Sequence, residues 1–455
     1  MMSKTEIRAT LSLAAIFCLR MLGLFMIYPV FVTYARHLRG ATPAAVGLAL
    51  GIYGLTQALL QLPFGMLSDR FGRKLIISIG LLLFAAGSVV AAVADSIHGV
   101  ILGRALQGTG AVGSVILALG ADLTREDHRT KAMALIGMTI GLSFAASLVL
   151  GPVVNGWIGV SGIFWLTALL ALLGLAVNWF IVPQPWRIAH HRDAEEVPWL
   201  LMRVVRDRQL LRLDFGILAL HVILTASFLG LPHVLTGVLG VPTPHHWYVY
   251  LPVLALSVVI MVPFIIIGEK HHRLKQVFLG AVVALALSQL TLMLDHRSAL
   301  PVFIALVVFF SAFNLMEASL PSLVSKVAPA GAKGTAMGVY SSSQFLGIFI
   351  GGSLGGWMNG LAGSHGLFAF TFLVAVIWFF VSLTMRRPGN YASRLLNVGK
   401  IGDREARWMA VRLQQVRGVV EAVVVADEGV AYLKVEPDQL DQPAMQAALI
   451  PDSSA

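Results

Sequence analysis

Among 455 residues there is a single cysteine, Cys18, and Asp, Glu, Lys and Arg together make up only 12%, where soluble domains carry roughly a quarter charged residues. The lone thiol excludes an intrachain disulfide, a CxxC redox pair and a thiolate zinc cluster. The shortage of charge excludes a water-soluble globule, because a chain with mean hydropathy +0.81 cannot hide that much apolar surface in one core. Acids are scarcer than bases, 23 Asp and Glu against 33 Lys and Arg, for a net charge of +10. No glycine-rich nucleotide loop, metal-ligand cluster or nucleophile with a placed base is legible, so the sequence does not read as an enzyme, and it implies no cofactor and no metal.

What the chain has in abundance is long apolar runs. A bilayer core needs about 20 apolar residues per helix, and such runs occur at Leu11 to Tyr34, Ala44 to Leu67, Leu75 to Ala94, Val100 to Ala121, Ala132 to Trp157 and Ile163 to Val182. A second series runs Phe215 to Leu235, Tyr248 to Ile267, Val277 to Leu294, Leu300 to Leu323, Gly334 to Met358 and Leu367 to Met385. The pattern predicts an all-α polytopic membrane protein of twelve spans, six and six. Lys4 and Arg8 precede the first run as in a signal peptide, but the run is too long for one and is expected to be retained. Loops on one side hold nineteen Lys and Arg, while the other side holds Arg36, Arg39 and Arg297. By the positive-inside rule both termini are expected to be cytoplasmic. Basic residues confined to short loops argue against a nucleic-acid partner; the partners expected are the lipid bilayer and a small-molecule substrate.

The halves echo one another. Arg129 to Ala134 opens the fifth span with a basic residue ahead of Ala132-Met133, and Lys333 to Gly338 opens the eleventh in the same way with Ala336-Met337. Internal repetition in a polytopic chain points to a transporter with its site between two halves. The expected organisation is an N-terminal six-helix bundle over 8–182, a basic amphipathic linker over 183–212, a C-terminal bundle over 213–386 and a soluble domain over 394–450. In the linker Val197, Leu201, Val204 and Val205 alternate with Arg203, Arg206 and Arg208, which predicts a short helix on the inner membrane surface. The tail reads strand, helix (Arg404 to Val416), strand (Val419 to Ala426), strand (Val430 to Val435), helix (Gln442 to Leu449), a small α+β ferredoxin-like module. So small a core is marginal alone, and docking to the bundles or self-association is expected.

The loop between the second and third spans, Gly65-Met66-Leu67-Ser68-Asp69-Arg70-Phe71-Gly72-Arg73-Lys74, resembles the signature G-x-L-x-D-R-x-G-R-K of the major facilitator superfamily at every fixed position. Gly65 permits close helix approach, Gly72 a tight turn, and the basic residues anchor at headgroups. Asp69 is the odd charge, and its expected partners are Arg73 or the N-terminus of the span beginning at Gly334, with Asp122 holding Arg73 in the same latch. Arg104-Ala105-Leu106-Gln107-Gly108-Thr109-Gly110 resembles the family's R-x-x-Q-G-x-G motif, which implies either proton coupling or a static salt bridge for Arg104. Gly141 and Gly151-Pro152-Val153-Val154-Asn155-Gly156 resemble the drug:proton antiporter motif, with the upstream glycine displaced by one; the alternative is a small-residue packing interface.

The resemblance covers roughly residues 8 to 386 and implies two pseudo-symmetric six-helix bundles that export small molecules against protons across a bacterial inner membrane by alternating access. A proton-coupled metabolite symporter and a membrane sensor signalling through the tail are the alternatives. Intramembrane polar groups mark the candidate sites. Glu317 is the expected proton carrier, tuned by Arg20 or Arg104 or locked to one of them as an ion pair. His221 either titrates or bonds a neighbouring helix. Gln57, Gln61 and Asn314 either line the substrate cavity or bond across helices.

Overall fold

The computed structural model describes residues 2–184, 198–270, 273–295, 298–386, 391–399 and 401–449. The first half contains α1 (Lys4–Phe25), α2 (Phe31–Ala35), α3 (Pro43–Phe71), α4 (Arg73–Val93), α5 (Ile97–Thr109), α6 (Gly113–Asp122) and α7 (Glu126–Phe180). A short α8 (Pro198–Arg206) leads to the second half: α9 (Arg208–Gly237), α10 (Trp247–Lys270), α11 (Leu274–Leu294), α12 (Ala299–Val327) and α13 (Lys333–Leu383). Helix starts follow local chemistry. Ser3 and Glu6 form a reciprocal capping box on α1, and Thr42 caps α3 with Pro43 at its first turn.

Ten apolar helices among the described residues are long enough to cross a membrane, counting α5 and α6 as one broken span. Two of them, over Lys131–Phe180 and Lys333–Leu383, have 50 and 51 residues, more than twice the roughly 20 a bilayer needs. Each bends at a glycine in the left-handed region, Gly159 (φ 68°) and Gly363 (φ 60°), and so crosses twice. Among the described residues the apolar helices thus have the length for the expected twelve crossings, in two six-helix bundles.

The bundles meet along α3 and α13, where small residues bring backbones together. A Cβ on Gly47 would lie 2.2 Å from Gly352 O, and one on Gly54 would lie 2.3 Å from Phe345 O. These contacts, with the Tyr28–Phe228 ring pair and Gly156 against Pro244, sit at the membrane face away from the tail. Further toward the tail face Ser342 Oγ donates to Ala58 O at 3.4 Å.

The tail folds as β1 (Ala392–Asn397), α14 (Asp403–Gln414), β2 (Val419–Val425), β3 (Val430–Val435) and α15 (Gln442–Ala448). Its three strands form an antiparallel sheet in the order β1-β3-β2. The βαββα order is as expected, with β1 starting two residues earlier than Arg394. Met409, Leu413, Ala422, Leu433, Val435 and Met445 make its core. Glu421 receives Arg203 Nη2 of α8 at 2.5 Å and the Ala330 N–H of the α12–α13 loop at 3.0 Å, while Lys434 Nζ donates to Val327 O at 2.8 Å. Linker residues 185–197, with Val197, lie outside the described residues. The rest departs from a helix lying simply on the membrane surface: Val204 is fully buried, and Arg203 turns to the tail because Glu421 supplies the counter-charge.

Candidate functional site

The first polar cluster lies inside the N-terminal bundle. Arg20 on α1 and Arg104 on α5 are both buried, and each reaches a residue of α3. Arg20 Nη2 donates to Tyr53 Oη and to Gln57 Oε1, both at 2.7 Å, and its guanidinium stands over the Phe84 ring. Arg104 Nη1 donates to Gln107 Oε1 at 2.8 Å and stands 5.0 Å from the Tyr53 ring centroid. Gln57 in turn donates to Gln61 at 3.0 Å. Tyr53, Gln57 and Gln61 recur every four residues, so one face of α3 carries the whole ladder. Both glutamines are buried; Gln57 bonds across helices to Arg20, while the Gln61 side chain meets Gln57 on the same helix. Tyr53, which joins the two arginines, carries no chemical signature in the sequence.

The second cluster lies in the C-terminal bundle. Gln344 Nε2 on α13 donates to Glu317 Oε1 at 3.2 Å and sits 2.9 Å from His221 Nε2. The same His221 nitrogen is 3.9 Å from Glu317 Oε2, and its Nδ1 is 3.2 Å from Ile217 O. With the Gln344 amide oriented to donate to both groups, His221 Nε2 accepts and Nδ1 carries the proton donated to Ile217 O, which is the neutral form of the ring. The Glu317 side chain is 22% exposed, while its Oε2 is buried with no hydrogen-bond partner among the described residues. Neither arginine touches it. The expected tuning or ion pair with Arg20 or Arg104 is replaced by His221 and Gln344, since the arginines are held by Tyr53, Gln57 and Gln107 in the other bundle. Gln344 was not singled out by sequence, because glutamine in a Ser-rich turn of helix is an ordinary pattern. Asn314 donates to Ser257 Oγ at 2.9 Å across α12 and α10 and so is engaged in helix packing.

At the tail face the signature loop forms a compact ion cluster. Gly72 has φ +94°, the turn that allows α4 to start at once after α3. Arg73 Nη1 donates to Ser68 Oγ at 2.7 Å and to Asp69, and Nε donates to Asp122 Oδ2 at 3.2 Å. Asp69 therefore meets Arg73 and, among the described residues, does not cap α13. Arg73 and Lys74 are buried, contrary to headgroup anchoring. Lys74 Nζ donates to Val182 O at 3.0 Å and lies against Trp179, satisfying the carbonyl end of α7. Arg70 folds over Phe71, and the Gly65 carbonyl accepts from Ser68 Oγ. The sequence reading missed a second cluster beside this one, in which Glu6 accepts from the Arg125 N–H at 2.9 Å and sits 3.4 Å from His128 Nδ1.

Of the antiporter-like residues, Gly151 carries a close contact: its Cβ would lie 2.4 Å from Met26 O. Pro152 follows within α7, and Gly156 faces Pro244 of the other bundle. The displaced Gly141 faces open space.

Three comparisons bear on this arrangement. The family profile for the Major Facilitator Superfamily matches residues 13–275 and 246–425. The inner membrane transport protein YajR of Escherichia coli is 45% identical over 436 residues, covering 96% of this chain and 95% of that protein. The multidrug resistance protein MdtH of Yersinia enterocolitica is 29% identical, covering 74% of this chain and 83% of its own. A bacterial homologue of the human lysosomal transporter Spinster superposes with a TM-score of 0.70 at 15% identity, covering 84% and 98% of the two chains.

Proposed function

Since the chain belongs to the major facilitator superfamily, we propose that it is a proton-coupled secondary transporter that exports small, drug-like or metabolite molecules by alternating access. The observation that carries the coupling is the Glu317 group. Its carboxyl sits in an apolar span with one amide donor, a neutral histidine and no cation within contact, so nothing locks it in the ionised form. A carboxyl so placed takes a proton when dry and gives it up when water or a cation reaches it. Export of drug-like molecules is supported by the similarity to MdtH, named for multidrug resistance. The excess of basic residues supports a cytoplasmic tail face and, with YajR as a relative, an inner-membrane location. No enzymatic step, cofactor or metal is needed; the coupling ion is the proton.

Substitution of Glu317 by Gln holds the group in the likeness of its protonated form. In proteoliposomes loaded with ethidium as probe, Glu317→Gln is expected to abolish movement driven by a pH gradient while exchange without a gradient persists. The wild-type pH dependence in this variant would falsify the assignment. The direction of ethidium movement separates export from symport, and the absence of any movement with a tail-dependent response would favour the sensor.

A further inference from the structure

One buried acid has no part in the clusters above. Asp214 on α9 is 5% exposed, and neither of its oxygens has a hydrogen-bond partner among the described residues. Two unsatisfied donors, Tyr340 Oη and Trp378 Nε1, lie on α13, which packs along α9. Trp378 Nε1 stands 3.1 Å from the place a Cβ would take on Gly216, two residues beyond Asp214. An unpaired carboxylate in such a place is too costly to be a resting arrangement. A carboxyl that is protonated, or that borrows a donor from Tyr340, is not.

The spacing links this acid to Glu317. Asp214 and His221 are seven residues apart on α9, two turns and about 10 Å on one face. Tyr340 and Gln344 are one turn apart on α13. His221 and Gln344 already meet Glu317, so Tyr340 and Asp214 continue the same two faces toward the tail side. An ionisable group acting on Asp214 is Asp207, at the start of α9.

We propose that Asp214 is a second proton site, coupled through Tyr340 to Glu317, giving the C-terminal bundle a buried proton line. This rests on the reading of Glu317 as proton carrier. In the transfer the Glu317 O–H bond breaks as its proton passes to Tyr340 Oη, and the phenol releases its own proton to an Asp214 oxygen. One proton moves, the phenol is regenerated, and no electrons are exchanged. Two carboxyls in one apolar bundle resist ionising together, so protonation of one favours release from the other. Tyr340 bonds neither acid in this conformation, which leaves the line open-circuit until the ring moves.

The test is infrared titration of the purified full-length protein in lipid nanodiscs, following the carbonyl band of buried protonated carboxyls, with no substrate required. Wild type is expected to show two titrating components. Asp214→Asn should remove one and shift the midpoint of the other, and Glu317→Gln should do the converse. Tyr340→Phe should keep both components but slow deuterium exchange of the Asp214 component by tenfold or more. An Asp214→Asn spectrum that matches wild type at every pH overturns the proposal. A Glu317→Gln spectrum that matches wild type, with Asp214→Asn altered, instead overturns the reading of Glu317 and leaves Asp214 as the proton site. Should Asp214→Asn not fold, Asp214→Glu keeps a carboxyl and must displace the band; an unmoved band overturns the proposal equally.

Discussion

The glycine seam between α3 and α13 makes a prediction that depends on backbone geometry alone. A methyl added by Gly352→Ala would stand 2.5 Å from Gly47 O and 2.7 Å from Gly51 Cα, where ordinary contact begins at 3.4 Å. Both obstacles are backbone, so neither can rotate aside, and the helices must part by about 0.9 Å. Overpacking of this kind costs about 1–3 kcal/mol. If the seam opens during the cycle, that cost falls only on the conformation with the far face closed, and its population drops roughly 5- to 150-fold. Spin labels at His37→Cys and Leu294→Cys, in a Cys18→Ser background, report the gap between the bundles at that face by pulsed electron resonance. The expected result is a longer, broader distance distribution in Gly352→Ala. Gly141→Ala, where a Cβ meets nothing within 4 Å, is the matched control and should be silent. A folded Gly352→Ala protein with the wild-type distribution would show that the seam does not separate the two states, as would an equal shift in the control.

Asp69→Asn leaves Arg73 with Ser68 and Asp122, so the protein should fold and insert while transport falls; unchanged cysteine labelling at the tail face would remove the latch role. Glu421→Ala deletes the acceptor shared by Arg203 and the Ala330 N–H, and should speed proteolytic cleavage between residues 386 and 391 by several-fold; an unchanged cleavage rate would show that these bonds do not hold the tail. Burial holds Lys434 below its ordinary pKa of 10.5. The docked tail thus binds that proton less tightly than the free tail, so docking should strengthen as pH rises toward 10.5 and level off above it, as read by the same cleavage assay. A flat profile would mean Lys434 keeps its water when docked.

Fold and site were not equally legible. Span number followed from run length, since the bilayer sets a fixed requirement, and the signature loop followed from ten contiguous residues whose turn needs Gly72. The strand and helix order of the tail was readable from alternation and turn residues, though β1 begins at Ala392 because its pairing with Val435 extends the ladder past the apolar residues. Partnership across the bilayer was not readable. Nothing in Arg20 or Arg104 says that tyrosine and glutamine, not Glu317, will satisfy them, because hydrogen bonding between distant segments leaves no periodic trace. Tyr53, Gln344 and Asp214 were overlooked for the same reason: each is unremarked in composition and matters only through what faces it. Gly141 is the converse case, a motif position where an added Cβ would meet nothing within 4 Å.

In α7 the fifth and sixth crossings are joined at Gly159, and in α13 the eleventh and twelfth are joined at Ala362 and Gly363, one or two non-helical residues in each case. So short a join ties the ends of the two crossings together and leaves them little room to part there. Between the bundles, by contrast, residues 181–207 separate α7 from α9. Glu421 of the tail accepts from both Arg203 of this segment and the loop ahead of α13, so one carboxylate joins the tail to the inter-bundle connection and to the start of the eleventh crossing.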